Sequence, residues 1–178
     1  PRVIVLKRLL QGPYKASLEF NLRIRESDFM LTYEVRADDP KLYLHLNGTW
    51  FQRGSRETGL PTLNFVLPLS LKNVKARYEI PFGAIDRTQN QREEVPALQW
   101  AQVTGVAGRK TAGCLLLNDS KYGYSLEGQT LRLSLIRSSY EPDLLPEITQ
   151  HEIHLALRPF AGSLPISQAI LEGQEFNH

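Results

Sequence analysis

The feature that most constrains this chain is a period of two. Leu18, Phe20, Leu22 and Ile24 alternate with Glu19, Asn21, Arg23 and Arg25, and Phe29, Leu31, Tyr33 and Val35 alternate with Met30, Thr32, Glu34 and Arg36. Successive side chains of a strand point to opposite faces, so each run offers one face to a core and the other to water. The pattern returns at Leu42, Leu44 and Leu46, at Leu63, Phe65, Leu67 and Leu69, at Ala76, Tyr78, Ile80 and Phe82, at Leu131, Leu133 and Leu135, and at Ile153, Leu155 and Leu157. No helical repeat separates these runs, which argues against a parallel sheet with helical crossovers. The expectation is an all-β protein of ten or more strands, arranged as an antiparallel β-sandwich with at most one short helix.

The connections are read from their turn chemistry. Val3 to Leu10 reads as a strand closed by Gln11-Gly12-Pro13, and Glu26-Ser27-Asp28 as the turn of the next hairpin. Asn47-Gly48 carries a strong hairpin-turn signal, and Asn47-Gly48-Thr49 also matches the N-glycosylation pattern, which matters only in a secreted protein. Pro68 predicts an edge or irregular strand. Arg53–Gly59, Asp86–Val95, Gly105–Gly113 and Ser138–Pro146 read as loops, the third as mobile. Ile166, Ala169 and Ile170 predict one short helix over Pro165–Glu172.

Composition excludes several classes. With 21 Lys+Arg against 19 Asp+Glu the net charge is +2, too balanced for a nucleic-acid or anionic-membrane partner. The single cysteine, Cys114, permits no intrachain disulfide and lies in an apolar run as a small buried hydrophobe. No apolar segment approaches the ~18 residues of a membrane span. No signal peptide is visible, and Pro1 reads as an excised or processed end.

The segment with the densest chemistry is Cys114–Arg137. Its two apolar runs flank Asn118-Asp119-Ser120-Lys121-Tyr122-Gly123-Tyr124, a loop with a carboxylate, an ammonium and two phenols. Asp119, Lys121 and Tyr122 are the candidate substrate-binding residues; Tyr122 and Tyr124 are the candidates for stacking on a sugar. The bland alternative is an Asn/Asp turn with a solvated lysine. His151 and His154 stand three apart, which places them on opposite faces of a strand, so that pair predicts no metal site; His45 and His178 are isolated. Glu141, Asp143 and Asp119 do not form a catalytic pair that spacing alone can define. Trp50 and Trp100 read as core or interface anchors.

Several of these stretches carry a resemblance. Leu116–Ser138, LLNDSKYGYSLEGQTLRLSLIRS, is similar to the "LLND-x-KYGY" and "LRLSLLRS" segment of the C-terminal β-region of family 38 glycoside hydrolases, the retaining α-mannosidases. Ala76–Gly83 with Asp86-Arg87 resembles the family's "A-x-Y-E-I-P-F/Y-G" strand and loop. Glu94–Ala101 resembles its "E-x-P-A-x-x-W" run, and His151–Pro159 its strand ending "A-L-x-P". The chain departs from the family pattern at Phe160, where His is common, and at Ser120, where Cys is common. The cytosolic and bacterial type is nearest.

The resemblance implies a galactose-mutarotase-like β-sandwich piece, with residues 1–178 forming one domain excised from the C-terminal part of a larger enzyme. It implies a cytoplasmic parent that hydrolyses α-D-mannosides through a glycosyl-enzyme intermediate, using an aspartate nucleophile and a second carboxyl group. The catalytic residues and a zinc ion held by Asp and His side chains belong to the parent's catalytic domain. No catalytic or metal-binding residue is expected within 1–178. The implied partners are the parent's catalytic and helical domains and the α-mannoside, with Asp119, Lys121 and Tyr122 on a wall of the cleft. The alternatives are a stand-alone carbohydrate-binding module and a mutarotase-like enzyme.

Overall fold

Alternation produces thirteen strands among the described residues, joined mostly by tight turns, and the only helix among them closes the chain. The computed structural model describes the backbone of residues 2–87, 93–143, 145 and 147–178, and the side chains of all these except 2–5 and 7. The strands whose pairing register is defined all run antiparallel to their neighbours, so the fold class is the expected all-β one. The chain divides into two compact units, 1–63 with 135–154, and 64–134 with 155–178.

The first unit holds β1 (Arg2–Gln11), β2 (Lys15–Ile24), β3 (Ser27–Arg36), β4 (Leu42–Thr49) and the beginning of β13 (Gln150–Ala161), neighbours in that order. Directly opposed residues share a face of a sheet. One face therefore carries Leu6 and Leu9, then Leu18 and Phe20, then Tyr33 and Leu31, then Leu44 and Leu46. Burial along this row is graded. Leu44 and Leu46 are 5% and 9% exposed, whereas Leu6 and Leu9 are 53% and 61% exposed. The opposite face is polar and carries the Lys15–Glu34 and Arg36–Glu34 ion pairs and a Tyr43–Asp39 hydrogen bond.

Two turn expectations fail in this unit. The β2–β3 turn is Arg25-Glu26, with Arg25 at φ 56, and Ser27 and Asp28 already belong to β3. Ser27 is fully buried because its hydroxyl accepts a bond from the Phe51 amide. Asn47-Gly48-Thr49 is not a turn but the end of β4, paired with Met30, Phe29 and Asp28. Gly48 serves close approach: a Cβ there would lie 2.3 Å from the Asp28 carbonyl oxygen and 2.6 Å from the Phe29 ring. Trp50 beyond it is a core residue, donating its indole N–H to Ser138 Oγ at 2.6 Å.

In the second unit the end of β13 is followed by β10 (Lys110–Asn118), β9 (Trp100–Ala107), β6 (Lys72–Ile80) and β7 (Gly83–Arg87). A second sheet has the order β5 (Thr62–Pro68), β12 (Thr130–Arg137), β11 (Gly123–Glu127) and β8 (Val95–Pro96), and this unit holds β5 from residue 64 and β12 up to residue 134. β5, with Pro68, is the edge strand the proline predicts. Tyr78 of β6 meets Tyr124 of β11 with ring centroids 5.7 Å apart, a contact between the two layers.

The helix α1 (Ile166–Asn177) covers the other face of β9 and β10. Arg158, opposite Leu115, pairs with Glu172 of α1 at 2.8 Å, and Gly173 lies so close to Trp100 that a Cβ would be 2.8 Å from the indole. Leu115, Leu116 and Leu117 are all fully buried for this reason: odd positions meet the helix side and even positions the second sheet. The helix runs five residues beyond the predicted end at Glu172, continuing through Gly173, which serves as a contact with Trp100 and not as a stop.

The predicted loop over 105–113 is instead a β-hairpin, with Gly108-Arg109 as its turn. Its other two glycines are packing positions: a Cβ on Gly113 would lie 2.2 Å from the Val103 carbonyl, and one on Gly105 2.8 Å from that of Lys72. Similarly Asp86 and Arg87 lie in β7, the second arm of a hairpin turning at Pro81-Phe82, and Arg77 clasps Asp86 through two hydrogen bonds. Residues 88–92 of that predicted loop lie outside the described residues, and Val95 at its end already belongs to β8. Residues 144 and 146 of the loop 138–146 also lie outside the described residues.

Candidate functional site

The candidate loop is short and tightly held. β10 ends at Asn118 and β11 begins at Gly123, leaving residues 119–122 as the connection. Asn118 is 1% exposed and organises them from within. Its Oδ1 accepts the amides of Ser120 at 3.0 Å and Lys121 at 2.5 Å, closing a side-chain turn. Its Nδ2 donates to the Leu98 carbonyl at 3.0 Å, the Gln99 carbonyl at 3.3 Å and Tyr124 Oη at 2.5 Å. The Tyr124 hydroxyl in turn donates to the Leu98 carbonyl.

Backbone bonds secure the same junction. Asn118 donates its amide to the Gln99 carbonyl, Ala97 donates to that of Tyr122, and Asn177 of α1 reaches the Asn118 carbonyl at 3.2 Å. The segment 97–99 is anchored to β6 by Glu79, whose backbone carbonyl accepts from Leu98 and whose Oε2 accepts from Gln99 at 2.6 Å. Burial raises the Glu79 carboxyl above its ordinary range, opposed by the hydrogen bonds from Gln99 and Trp100. Burial also holds the Tyr124 phenol neutral far above its ordinary range.

Asp119, Lys121 and Tyr122 thus share one four-residue loop on a rigid base. Asp119 is half-buried and accepts a bond from Ser120 Oγ at 2.9 Å; Lys121 is half-buried; Tyr122 presents its ring, 57% exposed. Tyr124 does not join them. It is 0% exposed, and stacking on a ligand is ruled out by its place in the core. Glu94, which sequence reasoning passed over, is an exposed carboxylate beside the base of the loop. It accepts a short bond from Ser134 Oγ, and a Cβ on Gly123 would lie 2.9 Å from its Oε2. Its signal is its place one residue before Val95-Pro96, the strand that pairs with Gly123-Tyr124.

Such a loop can hydrogen-bond a polyhydroxylated ligand through a carboxylate, an ammonium and a phenol. A metal of the Asp/His type does not fit here, because residues 119–122 bring one carboxylate and no histidine. The other carboxylates weighed from sequence are committed elsewhere: Glu141 to Arg56 at 3.0 Å, and Asp143 to the Leu145 amide at 2.9 Å. His151 is buried and bonds the Glu147 carbonyl, while His154 lies on the other face of β13, as the spacing predicts.

The comparisons with known proteins decide the family. Residues 4–144 match the model of the glycosyl hydrolases family 38 C-terminal domain. The chain belongs to that family. Among its relatives, Alpha-mannosidase 2C1 of Mus musculus is 36% identical over 162 residues, 86% of this chain and 14% of the relative. Alpha-mannosidase 2C1 of Homo sapiens is 33% identical over 176 residues, 94% of this chain and 16% of the relative. Alpha-mannosidase of Saccharomyces cerevisiae is 32% identical over 123 residues, covering 65% and 11%. The chain therefore spans a small fraction of the length of the relatives it matches. Within the family 38 domain, the Asn118–Tyr124 junction lies inside the matched region, as do Glu79 and Glu94. Among the described residues no helix is long and apolar enough to cross a membrane.

Proposed function

We propose that this chain is the non-catalytic C-terminal β-region of a retaining α-mannosidase, in which residues 1–178 form one β-sandwich region and loop 119–122 is a wall of the substrate cleft. The observation that carries this is the rigid polar loop in a family 38 C-terminal domain whose relatives are named as α-mannosidases. The parent is then a glycosidase acting on α-D-mannosides, and its hydrolytic carboxylates lie outside this chain. Zinc, where the parent binds it, holds the nucleophile and sugar hydroxyls in the catalytic region, and no residue of loop 119–122 is assigned to it. The contribution of this region is positional: Asn118 fixes the loop, and Asp119, Lys121 and Tyr122 offer hydrogen bonds and a ring to sugar hydroxyls.

The partner surfaces are the catalytic and helical domains. Support for docking is the apolar face of the first unit, whose outer leucines, Leu6 and Leu9, are more than half exposed. The cytosolic-type resemblance supports a cytoplasmic parent.

The test is hydrolysis of a nitrophenyl α-mannoside by the full-length protein carrying this chain, with the product's anomeric configuration followed by NMR. Retention is expected. A charged hydrogen bond to substrate is worth about 1.5–3 kcal/mol, so Lys121→Ala should lower kcat/KM about 10- to 150-fold. Unaltered kcat and KM in Lys121→Ala and Asp119→Asn would remove the loop from the cleft. No α-mannoside hydrolysis by the full-length protein would remove the enzyme assignment.

A further inference from the structure

We propose that His45, Glu152 and His154 form a binding site for a borderline divalent cation such as Zn2+, built on the polar face of the first unit. The inference rests on side-chain geometry alone and stands apart from the α-mannosidase assignment. β4 and β13 are hydrogen-bonded neighbours. Glu152 and His154 lie two apart on β13 and so share a face, and His45 reaches them from β4. The two imidazoles stack with centroids 4.4 Å apart and planes 16° apart. Glu152 Oε1 serves both: it lies 3.1 Å from His45 Nε2 and 3.6 Å from His154 Nε2. One donor atom from each of the three residues lies within 4.8 Å of the others.

These separations have a meaning. Ligands bound tetrahedrally to zinc at about 2.0–2.1 Å stand about 3.3–3.4 Å from one another. The two nitrogen–oxygen distances bracket that edge, and binding an ion would require the stacked His154 ring to turn about its Cβ–Cγ bond until both Nε2 lone pairs converge, a movement open to Glu152 and His154, whose side chains are 59% and 43% exposed. His45 is the fixed member: its side chain is 33% exposed, and its Nε2 is closed to solvent yet makes no aligned hydrogen bond. A donor atom deprived of both water and a well-aligned partner is what a metal-free ligand presents. Two imidazoles and one carboxylate are the donor set of open three-ligand zinc sites, and they also suit nickel, cobalt and copper rather than magnesium or calcium. Each ring binds through a neutral Nε2, which requires its proton on Nδ1. Because Glu152 and His154 are partly exposed, solvent can supply a fourth ligand.

The probe is Zn2+ alone, titrated calorimetrically into the full-length protein after chelator stripping, with Co2+ as a spectroscopic substitute. The wild type should bind one more equivalent than His45→Asn or His154→Asn, and that equivalent should bring visible bands of four-coordinate Co2+. Because the histidine changes touch a strand interior, Glu152→Gln on an exposed side chain is the second arm. It should weaken that equivalent at least tenfold while leaving the metal-free melting temperature unchanged. Equal stoichiometry in the wild type and both histidine variants, or an affinity unmoved by Glu152→Gln, would overturn the site and leave only a stacked pair sharing a carboxylate.

Discussion

Asn118→Ala is the substitution that best separates the loop's scaffold from its surface. Four of the side chain's hydrogen bonds are 3.0 Å or shorter: to the amides of Ser120 and Lys121, the Leu98 carbonyl and Tyr124 Oη. At about 1 kcal/mol net apiece, their loss costs at most about 4 kcal/mol. Water can replace Oδ1 at the two loop amides but not at the buried end, so the floor is about 2 kcal/mol. Local opening of the loop becomes easier by the same amount, so amide exchange at Ser120 and Lys121 should accelerate about 30- to 1,000-fold. Hydrogen exchange with peptide mass spectrometry over 115–125 reads this directly in the full-length protein. Asn118→Asp divides the effect, since it keeps the acceptor for both amides but replaces the Nδ2 donor with an acceptor facing Leu98 O and Tyr124. Exchange in Asn118→Asp should be slower than in Asn118→Ala at Ser120 and Lys121, with global stability lowered in both. Wild-type protection of the two amides in Asn118→Ala would refute the role given to this side chain.

Other outcomes follow from packing and titration. Gly113→Ala forces a methyl to within 2.2 Å of the Val103 carbonyl and 2.4 Å of the Phe160 ring. The carbonyl belongs to a central strand and cannot retreat, so a loss of about 1–3 kcal/mol in chemical denaturation is expected; an unchanged midpoint would mean that β9 and β10 are spaced more widely. Burial pushes the Tyr78 phenol up to about 12 and the Cys114 thiol up to about 11. Folded-state values raised in this way give stability that is complete below the unfolded values, 9.0 and 10.0, and is lost as pH rises through the folded ones. The denaturation midpoint should therefore fall between pH 9 and 12, and Cys114 should resist thiol reagents, as read on its own peptide, until unfolding. A flat midpoint with early labelling of Cys114 would contradict its burial.

Strand identity was legible because burial on one face enforces a period of two, and that pattern survives even where turns were misread. The misreadings share a cause. Gly48, Gly105 and Gly113 look like loop residues in sequence, yet they sit inside strands where a neighbouring backbone or ring approaches too closely for a Cβ. Glycine signals the lack of a side chain, and sequence alone does not say whether conformation or contact requires it. The candidate loop was visible because its polar residues are contiguous. The role of Asn118 was not, since its partners Leu98 and Gln99 lie on another strand connection. His45 was opaque for the same reason: its neighbour His154 comes from a strand far along the chain, and only strand order brings them together.

The outermost strand of the first unit has a further consequence. Among the described residues β1 has a single neighbour, which leaves one of its backbone edges available to another strand, and its exposed leucines would favour such an encounter. The strand is not straight, however. Its register with β2 slips between Val3 and Val5 and again between Leu6 and Arg8. Each bulge bends the strand and interrupts the regular spacing of amides and carbonyls that an incoming strand would have to match. Self-association through cross-β stacking is thereby disfavoured, even though the adjoining face is greasy. What covers Leu6 and Leu9 must approach broadside, as side chains laid over the sheet, and not edge-on as an added strand.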